Sequence, residues 1–231
     1  LNVFGGWHDA ADYDRRPLHF SIVQDLLTPY LMDPEKFTDG QLNIPESGND
    51  IPDILDEADW GMRVWLRAQK KSGAVGTWIE ATSHPKQPNA SLDEQPYYIS
   101  TPTRESTMEY AAYAALMANA YNIAGQKDKS TEFLESSIKA FKWAIDSNNT
   151  LNKTWEATSQ TGKKQKYSYK EPELKHDMTF KAALNIFILT NDRAYLKIME
   201  KTKSQFTQKV NNMKWQGSPF FFAELLTASK R

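Results

Sequence analysis

Gly5-Gly6-Trp7-His8-Asp9-Ala10-Ala11-Asp12-Tyr13-Asp14-Arg15-Arg16 gathers three carboxylates, two guanidiniums, a His and a Trp ahead of the first long amphipathic pattern. Asp9 and Asp12 are three positions apart. On a helical or tightly turned backbone their side chains share a side and can grip one small object: a water, a sugar hydroxyl or a cation. Gly5 and Gly6 permit a positive φ or a close backbone approach just upstream, and Trp7 offers a flat apolar face with one N–H donor. Two carboxylates that share a water can act as a general base, one orienting the water while the other takes its proton. Cleavage of a glycosidic bond needs such a base and a separate carboxylic acid for the leaving oxygen. The plainer structural reading is that Asp9, Asp12 and Asp14 cap a helix and pair with Arg15 and Arg16. A calcium loop fits poorly, because acidic residues at every second position followed by Gly are missing.

Gly6-Trp7-His8-Asp9-Ala10-Ala11-Asp12 resembles the N-terminal signature of glycoside hydrolase family 9, cellulases with an (α/α)6 barrel, which usually reads Gly-Gly-Trp-Tyr-Asp-Ala-Gly-Asp. His8 replaces the Tyr and Ala11 the second-half Gly. With Tyr13-Asp14-Arg15-Arg16 following, the variant resembles the bacterial branch that includes exo-acting enzymes. The resemblance implies that Asp12 is the general base and that Asp9 helps hold the attacking water. Ile51-Pro52-Asp53-Ile54-Leu55-Asp56-Glu57-Ala58 is also similar to a run in the family, and His84 matches a loop His that touches substrate there. No cofactor and no metal ligand set are implied. The family's proton donor is a Glu in an Asn-Glu pair near the far end of the barrel. No Asn-Glu pair occurs in this chain, and Glu224 lies in an amphipathic Phe222-Ala223-Glu224-Leu225 context that reads as structural. Residues 1–231 therefore resemble the N-terminal half of one catalytic domain without its acid and without the C-terminal half of its barrel. The fragment alone is expected to be inactive.

Composition agrees with a globular domain: 231 residues, 40% hydrophobic, 25% charged, net charge -1. Near-neutral charge gives no reason to propose nucleic acid or an anionic membrane as partner. No apolar run approaches the roughly 20 residues needed to cross a bilayer. Zero cysteines exclude disulfides and thiolate metal sites. The chain opens on Leu1-Asn2-Val3-Phe4 without a signal-peptide pattern, so upstream sequence is expected to have been removed. The sugar class implies a secreted or periplasmic location, and composition is also compatible with the cytoplasm. Seven Trp and ten Tyr suit sugar-stacking platforms and a helical core equally.

Hydrophobic periodicity predicts helices over 17–31, 52–70, 103–124, 129–147, 173–191 and 193–210, with a last amphipathic piece over 218–229. Their expected starts and stops include Pro17 in a first turn, Thr103 as a cap beside Ser106 and Thr107, and Gly125 as a terminator. The third helix, slim with Ala111, Ala112, Ala114, Ala115, Ala118 and Ala120, fits the inner ring of a double-layered barrel. The fourth carries Leu134, Ile138, Phe141 and Ile145 on one stripe. The acids Asp53, Asp56 and Glu57 read as helix-end charges. Residues 72–103 form a connection long enough for a binding loop, with Thr77-Trp78-Ile79-Glu80 as a short strand. Trp78, His84, Tyr97 and Tyr98 combine flat faces with hydrogen-bonding edges, and Trp78, His84 and Tyr98 are the candidate substrate contacts. Residues 148–172 read as a polar, Lys-rich loop. The fold expected is all-α, an incomplete (α/α)6 toroid with roughly six or seven helices present.

The function expected is hydrolysis of a β-1,4-linked glucan or related oligosaccharide by inversion. Two rivals remain at this point. One is a non-catalytic carbohydrate-binding or scaffold module. The other is a helical-toroid enzyme using Mg²⁺ and a diphosphate, which Asp9-x-x-Asp12-x-Asp14 imitates loosely.

Overall fold

The structure is a computed structural model that describes residues 4–9, 13–16, 19–86, 89–158 and 162–212, with side chains as far as residue 202. Asp12, the 218–229 piece and Glu224 lie outside the described residues.

Six helices carry the fold: α1 (Phe20–Met32), α2 (Asp53–Ala68), α3 (Arg104–Ile123), α4 (Lys127–Ile145), α5 (His176–Thr190) and α6 (Arg193–Asn212). They pack as three hairpins in two layers. α3 lies between α1 and α5, and α2, α4 and α6 each cover their hairpin partner. The sequence explains the layering. α3 buries almost every residue from Ser106 to Tyr121, and its alanines let the neighbouring helices approach. Helices apolar all round belong inside, whereas α2 and α4 keep one polar face for solvent. On α4 the buried stripe is Phe133, Ser137, Ala140, Phe141 and Ala144. Ile145, expected inward, is 44% exposed, while its neighbour Ala144 is buried and its carbonyl accepts from Arg104 Nε at the start of α3 at 2.7 Å.

Helix ends follow local chemistry. Thr103 and Ser106 form a reciprocal capping box, with Ser106 N–H donating to Thr103 Oγ1 at 3.0 Å and Thr103 N–H to Ser106 Oγ at 3.2 Å. Gly125, at φ +74°, turns the chain out of α3. The layers are cross-linked by a buried carboxylate. Asp59 on α2 accepts from Arg63 (2.8 Å), from Tyr121 Oη on α3 (2.7 Å) and from Lys129 Nζ on α4 (3.0 Å). Burial opposes its charge, but these partners hold its pKa below the ordinary carboxylate value. Between α1 and α5, Lys181 Nζ donates to Gln24 Oε1 and sits 4.8 Å from the Tyr113 ring of α3.

The acids of α2 do more than sit at a positive helix end. Asp53 is fully buried and accepts from the Gly40 and Leu42 amides at 2.9 and 2.6 Å, fixing the loop before the helix. Glu57 accepts from Trp7 Nε1 at 2.7 Å.

Two small antiparallel ribbons complete the described chain. β1 (Ile79–Glu80) pairs with β2 (Tyr98–Ile99), and β3 (Asn152–Thr158) pairs with β4 (Lys164–Lys170). The first matches the short strand expected at Thr77–Glu80. The second corrects the loop expected over 148–172: its alternation of Trp155, Tyr167 and Tyr169 with Thr and Lys is a strand pattern, masked in the sequence by the density of lysines. No described helix is long and apolar enough to cross a membrane.

Candidate active site

The segment before α1 is built onto α2. Gly6 N–H donates to Trp60 O at 2.7 Å, and Arg67 donates to Phe4 O at 2.8 Å. The six-membered ring of the Trp7 indole lies against Gly61, where an added Cβ would fall 2.1 Å from it. Gly6 has φ +78°, and a Cβ there would come within 2.7 Å of Val64. The glycine pair thus brings the backbone against α2, and Gly61 makes room for the Trp that follows it.

Past Trp7 the chain closes a loop. Asp9 N–H donates to Asp14 O at 2.7 Å, so the segment leaves and returns at one point. Tyr13 adopts the left-handed region at φ +60° to make the return. Arg15 then pairs with Ile79 through two backbone hydrogen bonds of 2.9 and 3.1 Å. Its buried guanidinium donates to Tyr13 O at 2.6 Å, lies 3.3 Å from His8 Nε2 and stands 5.5 Å from the Tyr97 ring. Burial pulls the Arg15 pKa down, against the pull of Tyr97, Asp14 and Asp93. Burial and a hydrogen bond to Asp93 raise the Tyr97 pKa.

Arg16 is the hub. Its guanidinium reaches Asp9 Oδ2 and Asp14 Oδ2 at 3.2 Å each and Glu80 Oε1 at 2.7 Å. Burial works against this charge, but the hydrogen bonds to Glu80 and Asp9 and the charge of Asp14 outweigh it and raise the Arg16 pKa. The three carboxylates are not equivalent. Asp14 is 8% exposed, with one oxygen on Arg16 and the other accepting from the Ala81 amide at 3.0 Å. It is a structural bracket between the loop and the β1 ribbon. Asp9 is oriented by Arg16 yet remains 35% exposed, able to hold a water.

The ribbon presents the expected aromatic surface. Side chains alternate along a strand, so buried Ile79 leaves Trp78 and Glu80 on the opposite, outer face. Tyr98 faces Glu80 across the ladder. Trp78 is 40% exposed and Tyr98 56%, so neither ring is part of the core. His84 is exposed, in the loop that continues from β1. The structure therefore joins Asp9, Trp78 and Tyr98 through Arg16 and Glu80 at the end of the molecule where α1 and α3 begin. The helix-cap reading of the acids is half right. Asp9 and Asp14 do pair with Arg16, but α1 starts at Phe20 after His19, with no side-chain cap. The described carboxylates of the loop, Asp9 and Asp14, converge on a guanidinium.

Sequence reasoning missed Glu80 and Asp93, and it named Tyr97 only as one of the loop's rings, without its place under Arg15. Glu80 had a signal: it stands two positions from Trp78 in a short strand, hence on the same face. Asp93 had none, and the role of both Asp93 and Tyr97 depends on where Arg15 lands.

Comparison with known proteins bears on this arrangement. The model of glycosyl hydrolase family 9 matches residues 1–229. The chain is 26% identical to a cellodextrinase of Butyrivibrio fibrisolvens over 241 residues, covering 95% of this chain and 40% of that protein. It is 31% identical to endoglucanase C of Cellulomonas fimi over 128 residues, 50% of this chain and 11% of that one. In three dimensions it resembles a metagenome-derived glycoside hydrolase family 9 endoglucanase, with a TM-score of 0.70 at 24% identity over 99% of this chain and 43% of the other. A family 9 protein of Bacteroides ovatus gives 0.68 at 19% identity, over 97% and 44%. The three helical hairpins are thus part of an (α/α)6 barrel, of which the chain spans less than half the length of the structures it matches. The chain belongs to glycosyl hydrolase family 9.

Proposed function

We propose that the protein hydrolyses β-1,4-linked glucan or a related oligosaccharide by an inverting mechanism, with Asp12 as general base and Asp9 holding the attacking water. The observation that carries this reading is the closed Asp9–Asp14 loop, fixed by Arg16 to the ribbon that exposes Trp78 and Tyr98. The ends of the loop are tied at Asp9 and Asp14, and fixed placement of water and base is the larger part of what such a reaction needs.

The step balances simply. Water attacks the anomeric carbon on the face opposite the leaving sugar. Its proton goes to the Asp12 carboxylate while the C–O bond to the leaving oxygen breaks. That oxygen takes a proton from a carboxylic acid about 6.5–9.5 Å from the base, which this reading assigns to the part of the barrel beyond residues 1–231. Asp9, with one oxygen on Arg16, turns the other to the water. Trp78 and Tyr98 offer faces for pyranose rings, and His84 a hydrogen bond. A polysaccharide substrate fits a secreted or periplasmic protein, and an oligosaccharide substrate is compatible with the cytoplasm as well.

The test is Asp12→Asn in the full-length protein. Turnover of cello-oligosaccharides falls about 10²–10⁴-fold, while calorimetric binding of the same sugars changes much less, because shape is kept and only the proton acceptor is lost. Retention of parental turnover would contradict the assignment. Sugar binding without hydrolysis by the parent would favour a non-catalytic carbohydrate module.

A further inference from the structure

We propose that the β3–β4 hairpin is a second carbohydrate-binding surface, a stacking platform for β-1,4-linked glucan-type chains beside the N-terminus of α3. The choice of sugar class rests on the glycosidase reading; the platform itself rests on the hairpin.

The ladder pairs Trp155 with Tyr167 and Lys153 with Tyr169. Alternation then divides the ribbon into two unlike faces. One face carries Lys153, Trp155, Ala157, Gln165, Tyr167 and Tyr169. The other carries Thr154, Thr158 and Ser168 with Lys164, Lys166 and Glu156. The Trp155 and Tyr167 rings lie nearly parallel, 5.7 Å apart at 19°, and stay 42% and 36% exposed. Leaving such area in water is unfavourable at about 25 cal/mol per Å². A two-stranded hairpin is at best marginal by itself, and this aromatic face covers no core among the described residues, so it is open to a partner.

The make-up of that face selects the ligand. Trp and Tyr also serve protein contacts, so the choice rests on the polar border of the rings and on their place beside the β1–β2 ribbon. The face offers flat rings bordered by hydrogen-bonding groups, and Tyr167 Oη already donates to Gln165 Oε1 at 3.2 Å. A pyranose in an equatorially linked chain presents flat C–H faces and a rim of hydroxyls, which is the complement.

Position supplies the continuity. Glu171, buried at the hairpin base, accepts from the Arg104 amide and from the Glu105 amide (3.1 Å) at the start of α3, and from Leu151 N–H at 2.6 Å. Tyr98 and the β1–β2 ribbon lead into the same helix start through Thr103. The two aromatic ribbons thus flank one helix N-terminus, and a chain long enough can use both.

The experiment compares full-length parent, Trp155→Ala/Tyr167→Ala and Trp155→Phe. It measures adsorption to insoluble cellulose, kinetics on cellohexaose and on a chromogenic cellobioside, thermal unfolding and sedimentation. In the double variant, cellulose adsorption weakens about tenfold or more. KM for cellohexaose rises, the short cellobioside is turned over within about twofold of the parent, and Trp155→Phe recovers most of the adsorption. Absence of cellulose binding by the parent, or parental adsorption in the double variant, overturns the proposal. So does a change in sedimentation or a lowered melting temperature with adsorption intact, which would mean that protein covers this face. Unchanged adsorption in the double variant with the Asp12→Asn defect present refutes the platform and spares the catalytic reading. The reverse pair of results does the opposite.

Discussion

The two ribbons are unlike in a way their lengths do not suggest. β1–β2 has two residues per strand, and β3–β4 has seven. The short ribbon is nonetheless the tethered one. Ile79 is buried and bonded in both directions to Arg15, Ser100 Oγ accepts from the Thr77 and Trp78 amides at 2.7 and 3.0 Å, and Glu80 closes on Arg16. The long ribbon covers no core and is fastened mainly at its base, through Glu171. Sheet order is thus set by what a strand packs on more than by how many ladder bonds it makes. The division suits the proposed roles. A water-activating loop needs a fixed support, whereas a stacking platform can reach toward its ligand.

The largest effect expected from breaking this contrast comes from Arg16→Ala in the full-length protein. It removes the guanidinium that Asp9, Asp14 and Glu80 share and leaves buried Asp14 with the Ala81 amide and the nearby charge of Arg15. We expect a loss of about 2–3 kcal/mol in urea unfolding, somewhat below the usual cost of breaking a fully buried pair. Turnover should fall with it, because Asp9 loses its orientation. Unchanged stability would mean that the short ribbon does not depend on the hub. A smaller effect is expected from Glu171→Ala, which strips an acceptor from three amides and should cost about 1–2 kcal/mol, as for loss of a helix cap. Hydrogen exchange sharpens the comparison here: protection of amides 152–158 and 164–170 should drop, while Ile79 keeps its protection. Equal loss in both ribbons would show that they are one unit.

The helical part of this fold was legible because it is written in local and periodic terms. The alanine-rich α3, the Thr103 box and Gly125 each carry a physical signal in a few residues. The β3–β4 hairpin was not legible as strand because nothing apolar is buried beneath it, so its alternation is spelled in Trp, Tyr, Thr and Lys. At the site, Asp9, Trp78 and Tyr98 were recognisable by residue type and by family resemblance, and the structure brings them together. The joining pieces were harder. Arg16 was visible as a partner for the acids, but its third partner, Glu80, lies 64 positions along the chain, and only tertiary folding makes them neighbours. Tyr97 under Arg15 is a further case of the same limit.

The central claim is that a water activated at the Asp9–Asp14 loop displaces the leaving sugar in one step. The most direct measurement is proton NMR of cello-oligosaccharide hydrolysis by the full-length protein, read at the anomeric signals before mutarotation mixes them. Direct attack by water inverts the configuration, so the α-anomer of the new reducing end should appear first and the β-anomer only by later equilibration. A β-anomer formed first would mean retention through a covalent intermediate, with two carboxyl groups only about 5–5.5 Å apart, and would contradict the account.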